Sequence, residues 1–302
     1  MVFTQRPVAG QEAAVTANRK EDDWQTEPED CPEILRAFME EHGYRGLYAT
    51  ALRGDGTVAG WGGYSTPWGW VSNEPPAGLS QVVSLAGGAE FSLALRRDGT
   101  VVGWGLNDAG QLNIPASLQG VAALACGSRH VLALRTNGTL VAWGENADGQ
   151  CDLPLGLDNA IAIAAGDRYS LVLRADGSVL AWGAGSEGQL DVPADLTNAV
   201  AIAAGASHAL ALRADGTVTA WGSYSDDSGW TPMEAPAGLS NVLSIAAGYD
   251  HCLVRLARSV VGFGRNNNGQ ISVPSHAAVS GSIAEKNALQ PSQLAAHATH
   301  TR

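Results

Sequence analysis

Charge is scarce in this chain, and positive charge is scarcer than negative. Charged residues make up 16% of the 302 residues, with 18 basic against 30 acidic and a formal net charge of −12. A chain this acidic lacks the cationic surface needed to wrap nucleic acid or to rest on anionic lipid. No apolar run reaches about 18 residues, so no membrane-spanning helix is expected. The opening stretch MVFTQRPVAGQEAAV has no basic head before an apolar segment. No secretory signal is therefore expected, and the cytoplasm is the expected compartment. The four cysteines (Cys31, Cys126, Cys151 and Cys252) stand far apart without metal-ligand spacing. Reduced thiols rather than a disulfide framework follow from that.

Phe (4) and Tyr (6) are both outnumbered by Trp (9), an inversion that implies a repeated use of Trp. Glycine is the residue in excess, 37 of 302, where about 7% is ordinary. That excess announces many tight turns.

The repeated use is visible in the chain. LRGDGTVAGWG ends at Gly62, LRRDGTVVGWG at Gly105, LRTNGTLVAWG at Gly144, LRADGSVLAWG at Gly183 and LRADGTVTAWG at Gly222. A sixth, decayed copy, VRLARSVVGFG, ends at Gly264. A complete unit reads AVAIAAGASHALALRADGTVTAWG. The apolar run AVAIAAG suits a strand buried on both faces, HALALR and TVTAWG alternate, and Asp215-Gly216 between them suits a two-residue hairpin turn. The segment after Trp-Gly, such as ENADGQCDLP, reads as a turn with a short outer strand. A unit of about 39 residues cannot bury both its faces alone, so neighbours must stack, and units of this size point to a propeller.

The expected architecture is all-β, a β-propeller over residues 47–284. Six blades are expected, and seven only if residues 1–46 supply one. The first copy lacks its leading strand. An apolar residue lies nine positions after the Pro in complete units (Ile163 after Pro154, Ile202 after Pro193), and Ile283 lies nine after Pro274. Residues 278–284 are thus expected to complete the first blade and remove an open edge. Residues 1–46 are expected to be a flexible segment ending in a capping helix at 32–42, where Ile34, Leu35, Phe38 and Met39 fall at helical spacing. Residues 285–302 read as a loose tail.

Three recurrent elements, Gly-x-x-His-x-Leu-Ala-Leu, Asp-Gly-x-Val-x-x-Trp-Gly and Asn-x-x-Gly-Gln (Asn107–Gln111, Asn146–Gln150), resemble the regulator-of-chromosome-condensation repeat family. The short unit is similar to that of bacterial members. The resemblance implies a β-propeller that works by binding proteins rather than by catalysis. It carries two more specific expectations: guanine-nucleotide exchange on a small GTPase, or inhibition of a serine hydrolase such as a β-lactamase.

The chemistry-bearing residues are first explained by the repeat. His130, His208 and His251 share a register position with Tyr48, Phe91 and Tyr169, which makes it a packing position. No catalytic arrangement stands out. Asp55, Asp98, Asp176, Asp215 and Asn137 each precede a single Gly, the pattern of a turn rather than a calcium loop. The glycine-rich tract WGAGSEGQ lacks phosphate-loop spacing. No metal, cofactor or catalytic residue is expected.

The informative departures are two insertions. Pro follows the Trp-position aromatic by eleven residues in four units, but Trp61 and Pro76, and Trp221 and Pro236, are fifteen apart. The inserted segments GGYSTPWGWVSNEPPAGLS and GSYSDDSGWTPMEAPAGLS align without gaps. Tyr64, Trp68, Trp70 and Glu74 in the first, with Tyr224, Trp230 and Glu234 in the second, are the expected protein-binding residues. Tyr and Trp on loops held by a rigid scaffold are typical interface anchors. The acidic balance points to a basic protein partner for a monomeric scaffold, with no nucleic acid and no membrane.

Overall fold

The computed structural model describes residues 2–4, 14–18, 48–66, 69–72, 74–226, 229–267 and 269–272. These form six antiparallel sheets and no helix. The first sheet contains β1 (Val2–Thr4), β2 (Ala14–Asn18), β3 (Tyr48–Leu52), β4 (Val58–Thr66) and β5 (Gly69–Ser72). The next three are three-stranded: β6 (Val82–Gly87), β7 (Phe91–Arg96) and β8 (Val101–Gly105); β9 (Val121–Cys126), β10 (His130–Arg135) and β11 (Leu140–Gly144); and β12 (Ala160–Ala165), β13 (Tyr169–Arg174) and β14 (Val179–Gly183). The fifth has four strands, β15 (Ala199–Ala204), β16 (His208–Arg213), β17 (Val218–Asp226) and β18 (Gly229–Pro232). The sixth holds β19 (Ser244–Ala247), β20 (His251–Arg255) and β21 (Val260–Gly264).

No sheet builds its own core. Leu132, Leu134 and Leu140 of the third sheet pack in one cluster with Val172 and Trp182 of the fourth. Tyr169, Leu171 and Leu173 of the fourth meet Ala209, Ala211 and Trp221 of the fifth. Leu210 and Leu212 of the fifth meet Cys252, Val254 and Phe263 of the sixth. Each such buried Leu is worth roughly 1.5–3 kcal/mol, and it is realised only when the neighbouring sheet is present. The innermost strands abut in chain order: β6 on β9, β9 on β12, β12 on β15 and β15 on β19. Their alanines allow the close approach that convergence demands.

Backbone hydrogen bonds also run from sheet to sheet. The amide of Ala89 donates to Ser128 O (2.9 Å), Ser128 to Asp167 O (3.1 Å), Asp167 to Ala206 O (3.1 Å) and Ala206 to Tyr249 O (3.0 Å). These residues hold equivalent places in the loops between the first and second repeat strands. The Trp of the motif adds a second tie. Trp143 Nε1 donates to Gln111 O (2.9 Å), Trp182 to Gln150 O (3.0 Å) and Trp221 to Gln189 O (3.0 Å). The recurrent Trp is thus both a buried wedge and a donor to the preceding unit.

Several local expectations are corrected. The Asp-Gly turns are three-residue loops, not two-residue ones. The amide of Gly216 donates to Arg213 O (3.0 Å), that of Arg213 to Thr217 O (2.9 Å), and Gly216 alone has positive φ (80°). Asp215 keeps an ordinary φ and instead accepts hydrogen bonds from the Thr217 amide (2.9 Å) and hydroxyl (2.6 Å). That is a type I turn followed by a glycine bulge. Among the described residues, the segment after Trp-Gly forms no outer strand in the three-stranded sheets. Asn146 Oδ1 accepts from the Cys151 amide (2.7 Å) and Gln150 Oε1 from the Asp148 amide (2.9 Å), so side chains take the donors a strand would have offered to a neighbour.

The first sheet holds the largest difference. The place beside β3 expected for residues 278–284 is taken by β2, with Val15 opposite Ala51 and Asn18 opposite Tyr48. β1 then pairs with β2, so residues ahead of position 47 join the sheet. An open edge next to Tyr48–Leu52 needs any short apolar strand, and AVTAN supplies one from the near end of the chain. The expected helix at 32–42, the segment 278–284 and the tail 285–302 lie outside the described residues.

Candidate functional site

The histidines belong to the interior. His130 and His208 are fully buried and His251 nearly so. Each imidazole lies flat on the glycine three residues before it. A Cβ on Gly205 would sit 2.1 Å from the His208 ring, so only glycine fits there. Burial lowers His130 and His251 to about 4 and His208 to about 3, so the rings are neutral near pH 7. Tyr169, in the same register, donates its hydroxyl to His208 O, and His130 Nε2 lies 3.1 Å from Ser170 Oγ. These contacts are pillars between sheets.

The turn aspartates are equally occupied. Asp55, Asp98, Asp176 and Asp215 bind the Thr or Ser two residues on, and that hydroxyl, then its amide, holds each carboxyl below the ordinary value. Among the described residues no group of three or more His, Cys, Asp and Glu comes together as a metal site, and no helix is long and apolar enough to cross a membrane. Burial raises Cys126 and Cys252, and pushes Cys151 up to about 11, so none is held as a thiolate near pH 7.

The two insertions are hairpins rather than loops. Each lengthens the third repeat strand to nine residues and returns as a fourth, so β4 pairs with β5 and β17 with β18. Gly62 lies opposite Tyr48 and Gly222 opposite His208, so both hairpins leave their sheets at the same end. That end also carries the loops between first and second repeat strands. The Ser223 amide donates to Ser207 O (2.9 Å), as those of Glu145 and Ala184 do to Arg129 O and Arg168 O in their own units. This end is the upper rim; the Asp-Gly turns form the lower one.

Alternation sorts the second hairpin into two faces. Tyr224 lies opposite Thr231, and Ser225 opposite Trp230. Tyr224 and the buried Met233 pack into the cluster shared with the sixth sheet. Trp230 faces away and is 56% exposed. Met233 and Tyr224 therefore cover the long strand, and Trp230 is left on the surface. Glu234 and Glu74 are exposed. In the first hairpin Tyr64 lies opposite Val71 and Trp70 opposite Ser65, while Trp68 lies outside the described residues.

One rim residue escaped the sequence reading. Tyr249, in the first loop of the sixth sheet, is 66% exposed. Its equivalents are Ala89, Ser128, Asp167 and Ala206, so the signal was a large residue at a small-residue position. The loop that carries Tyr249 adjoins the second hairpin, because Asp250 Oδ1 accepts from the Ser225 amide (3.5 Å). The rim is acidic. Among the described residues its arginines are each matched by a carboxylate: Arg129 with Asp108, Arg168 with Asp148 (3.2 Å) and Arg265 with Asp250 (3.3 Å). Glu90, Asp167 and Glu187 enter no ion pair among the described residues.

Comparison with known proteins agrees with this architecture. Residues 82–111, 121–150, 160–189 and 199–229 match the regulator of chromosome condensation (RCC1) repeat. No curated protein sequence matches the chain. Among solved structures, Prp20p from Saccharomyces cerevisiae, described with its binding properties to Gsp1p and histones, is similar at 21% identity with a TM-score of 0.58 over 73% of this chain and 68% of its own. Human WBSCR16 is similar at 20% identity with a TM-score of 0.58, over 75% of this chain and 76% of its own. The ectodomain of the Arabidopsis thaliana receptor kinase ACR4 is similar at 20% identity with a TM-score of 0.55, over 73% of this chain and 80% of its own. At such identities the likeness establishes the fold, that of the RCC1-type propellers.

Proposed function

We propose that this chain, whose repeats are those of the RCC1 family, is a non-catalytic scaffold that holds a protein partner on its upper rim. The six sheets are read as six blades, with the first meeting the sixth to close a ring. In that ring the hairpins β4–β5 and β17–β18 stand on either side of the sixth blade. The partner is a protein, as Gsp1p and histones are for Prp20p. The acidic rim favours a basic one, and the scaffold acts as a monomer.

The observation that carries this reading is Trp230. A tryptophan more than half exposed on an added hairpin is not needed by the core, which Met233 and Tyr224 already cover. Large aromatics in such places act as interface anchors. The experiment is affinity capture from the native host with wild type beside a Trp70→Ala/Trp230→Ala variant. A specific protein held by wild type and lost by the variant, with thermal melting unchanged, supports the reading. A variant that holds the same proteins as wild type ends it.

A further inference from the structure

The lower rim carries its own departure from the repeat's needs. Ile161 and Val200 are the extra residues of β-bulges at the starts of β12 and β15. Ala160 pairs with Arg174 and Ala162 with Leu173, and Ala199 pairs with Arg213 and Ala201 with Leu212. A bulged residue is left out of the ladder. Ile161 is 38% exposed and Val200 51%, and neither side chain joins a buried cluster of its sheets. The same bulge sets an arginine beside each. Backbone bonds join these places from sheet to sheet. The Ala160 amide donates to Gly138 O (3.2 Å) in the turn that follows Arg135, and the Ala199 amide to Gly177 O (3.0 Å) in the turn that follows Arg174. Ile161 is thus set between Arg174 of its own sheet and the Arg135 turn of the third.

The arginines differ in what they already hold. Arg213 is spent: it donates to Thr219 Oγ1 (2.7 Å), Asp195 Oδ2 (2.7 Å) and Asn198 Oδ1 (3.2 Å). The fourth unit has Leu180 in place of Thr219 and Gly156 in place of Asp195. Arg174 accordingly enters no ion pair among the described residues, and its Nε finds no hydrogen-bond partner there. Leu155, next to Gly156, is fully exposed on the same loop. In the third unit Val141 and Ser117 take those two places, and Arg135 reaches only Ser117 O (3.5 Å). From the second to the fourth sheet the lower rim carries Arg96, Arg97, Arg135 and Arg174 against Asp98, Asp158 and Asp176. Asp98 and Asp176 are bonded first to Thr100 and Ser178 and feel Arg96 and Arg174 as a smaller effect. The third sheet has Asn137 where its neighbours have that aspartate. In a chain of net charge −12 this sector is one where arginines outnumber carboxylates. Unspent guanidinium groups beside exposed aliphatic side chains complement a segment that carries carboxylates and aliphatic side chains together.

We propose that the lower rim of the third and fourth sheets, with Val200 of the fifth, is a second docking surface, whose occupant is an acidic peptide segment bearing aliphatic side chains. Arg135 and Arg174 take its carboxylates, and Leu155, Ile161 and Val200 take its apolar side chains. The surface lies on the opposite rim from Trp230 and goes beyond the upper-rim reading without resting on it. The aliphatic contacts separate this occupant from a bare polyanion, which needs the charge alone.

The test uses the full chain and three labelled nonapeptides followed by fluorescence anisotropy: Glu and Leu in the order ELEELEELE, Lys and Leu in the order KLKKLKKLK, and all-glutamate. Wild type binds the first, does not bind the second, and holds all-glutamate about tenfold more weakly, because the leucines then have no counterpart. Arg135→Gln/Arg174→Gln weakens the first peptide about fivefold, the upper end for exposed ion pairs. Ile161→Thr/Val200→Thr, which keeps β-branched residues at the bulges, weakens it by a similar factor. Arg213→Gln stays within about twofold, because Arg213 is committed to Asp195. Trp70→Ala/Trp230→Ala binds the peptide as wild type does, which separates the two rims. No binding by wild type, or equal binding by wild type and the Arg135→Gln/Arg174→Gln variant at unchanged melting temperature, overturns the proposal. All-glutamate bound as tightly as the Glu/Leu peptide overturns it too, because the surface then reads charge alone. Light scattering that shows self-association lost in the same arginine variant, with no peptide bound, makes a second copy the occupant and overturns the acidic-peptide assignment.

Discussion

The fourth and fifth sheets share a register for three strands and part company at the upper rim. In the fourth, the chain after Trp182 makes a compact turn, and the Gln189 carbonyl caps the indole of Trp221. In the fifth, the hairpin replaces that turn, and Met233 fills the space against Cys252 and Phe263. The next unit has Phe263 where its neighbours have Trp. The sixth repeat is thus not merely decayed: no indole donor is required where the preceding unit has no glutamine turn. Trp104 follows the other hairpin and keeps its indole, so the substitution is not obligatory. The difference teaches that one rim position serves either to tie sheets together or to display a side chain, and that Trp182 and Trp230 stand on opposite sides of that division.

The comparison breaks most visibly at those two residues. Trp182→Ala removes a buried wedge and a donor, and a loss of about 3–5 kcal/mol is expected by urea denaturation. If Trp230→Ala costs as much, the hairpin tryptophan is packing and not display. Acid probes the shared interior next. His208 falls to about 3 in the fold, against an ordinary value near 6.5. The unfolded chain therefore binds the extra proton as pH drops below about 6.5, and stability falls with it. At pH 5 the loss for His208 is about 2 kcal/mol, continuing toward pH 4 as His130 and His251 add theirs. His208→Tyr, which copies Tyr169, should flatten the pH dependence of the melting temperature between pH 7 and 5. An unaltered slope would show that the imidazoles do not set it.

Finer substitutions sharpen the contrast. Trp182→Phe keeps most of the apolar area and removes one of the two donors to the Gln150 carbonyl, which keeps the Ser170 hydroxyl, at a cost of about 1 kcal/mol. Cys252→Ala should change the partner preference of the rim not at all while lowering the denaturation midpoint, since Cys252 is buried beside Met233. The smallest effect belongs to Trp230→Ala, within about 0.5 kcal/mol of wild type by the same denaturation assay.

The repeat was legible because it is written in residues with one physical use each. Glycine after Asp215 marks a left-handed turn, glycine at position 205 leaves room for a ring, and an aromatic, Trp in all but the sixth unit, recurs at the same register. The histidines could be assigned to the interior because Tyr and Phe stand in for them. The paired insertions were legible as departures from the period, and the pairing of Trp70 with Ser65 and Trp230 with Ser225 gave them a form that alignment alone lacks. Two things were not legible. The first was which end of the chain lies beside β3, since AVTAN and the stretch around Ile283 offer the same apolar alternation and periodicity is blind to sequence distance. The second was Tyr249, whose meaning depends on a neighbour in another sheet. A single unusual residue in a loop carries no period, and the hydrogen bond that the Ser225 amide donates to Asp250 exists only once the sheets are side by side.

The relay of amides from Ala89 through Ser128, Asp167 and Ala206 to Tyr249 has a bearing on how such a rim changes over time. Every donor and acceptor in it is main chain, so the five side chains at these stations owe nothing to it. Alanine, serine, aspartate and tyrosine already occupy the same station in neighbouring units. The molecule therefore keeps a row of sockets in which one residue after another can be exchanged while the joints stay shut, and a new partner could be acquired there without rebuilding what lies beneath.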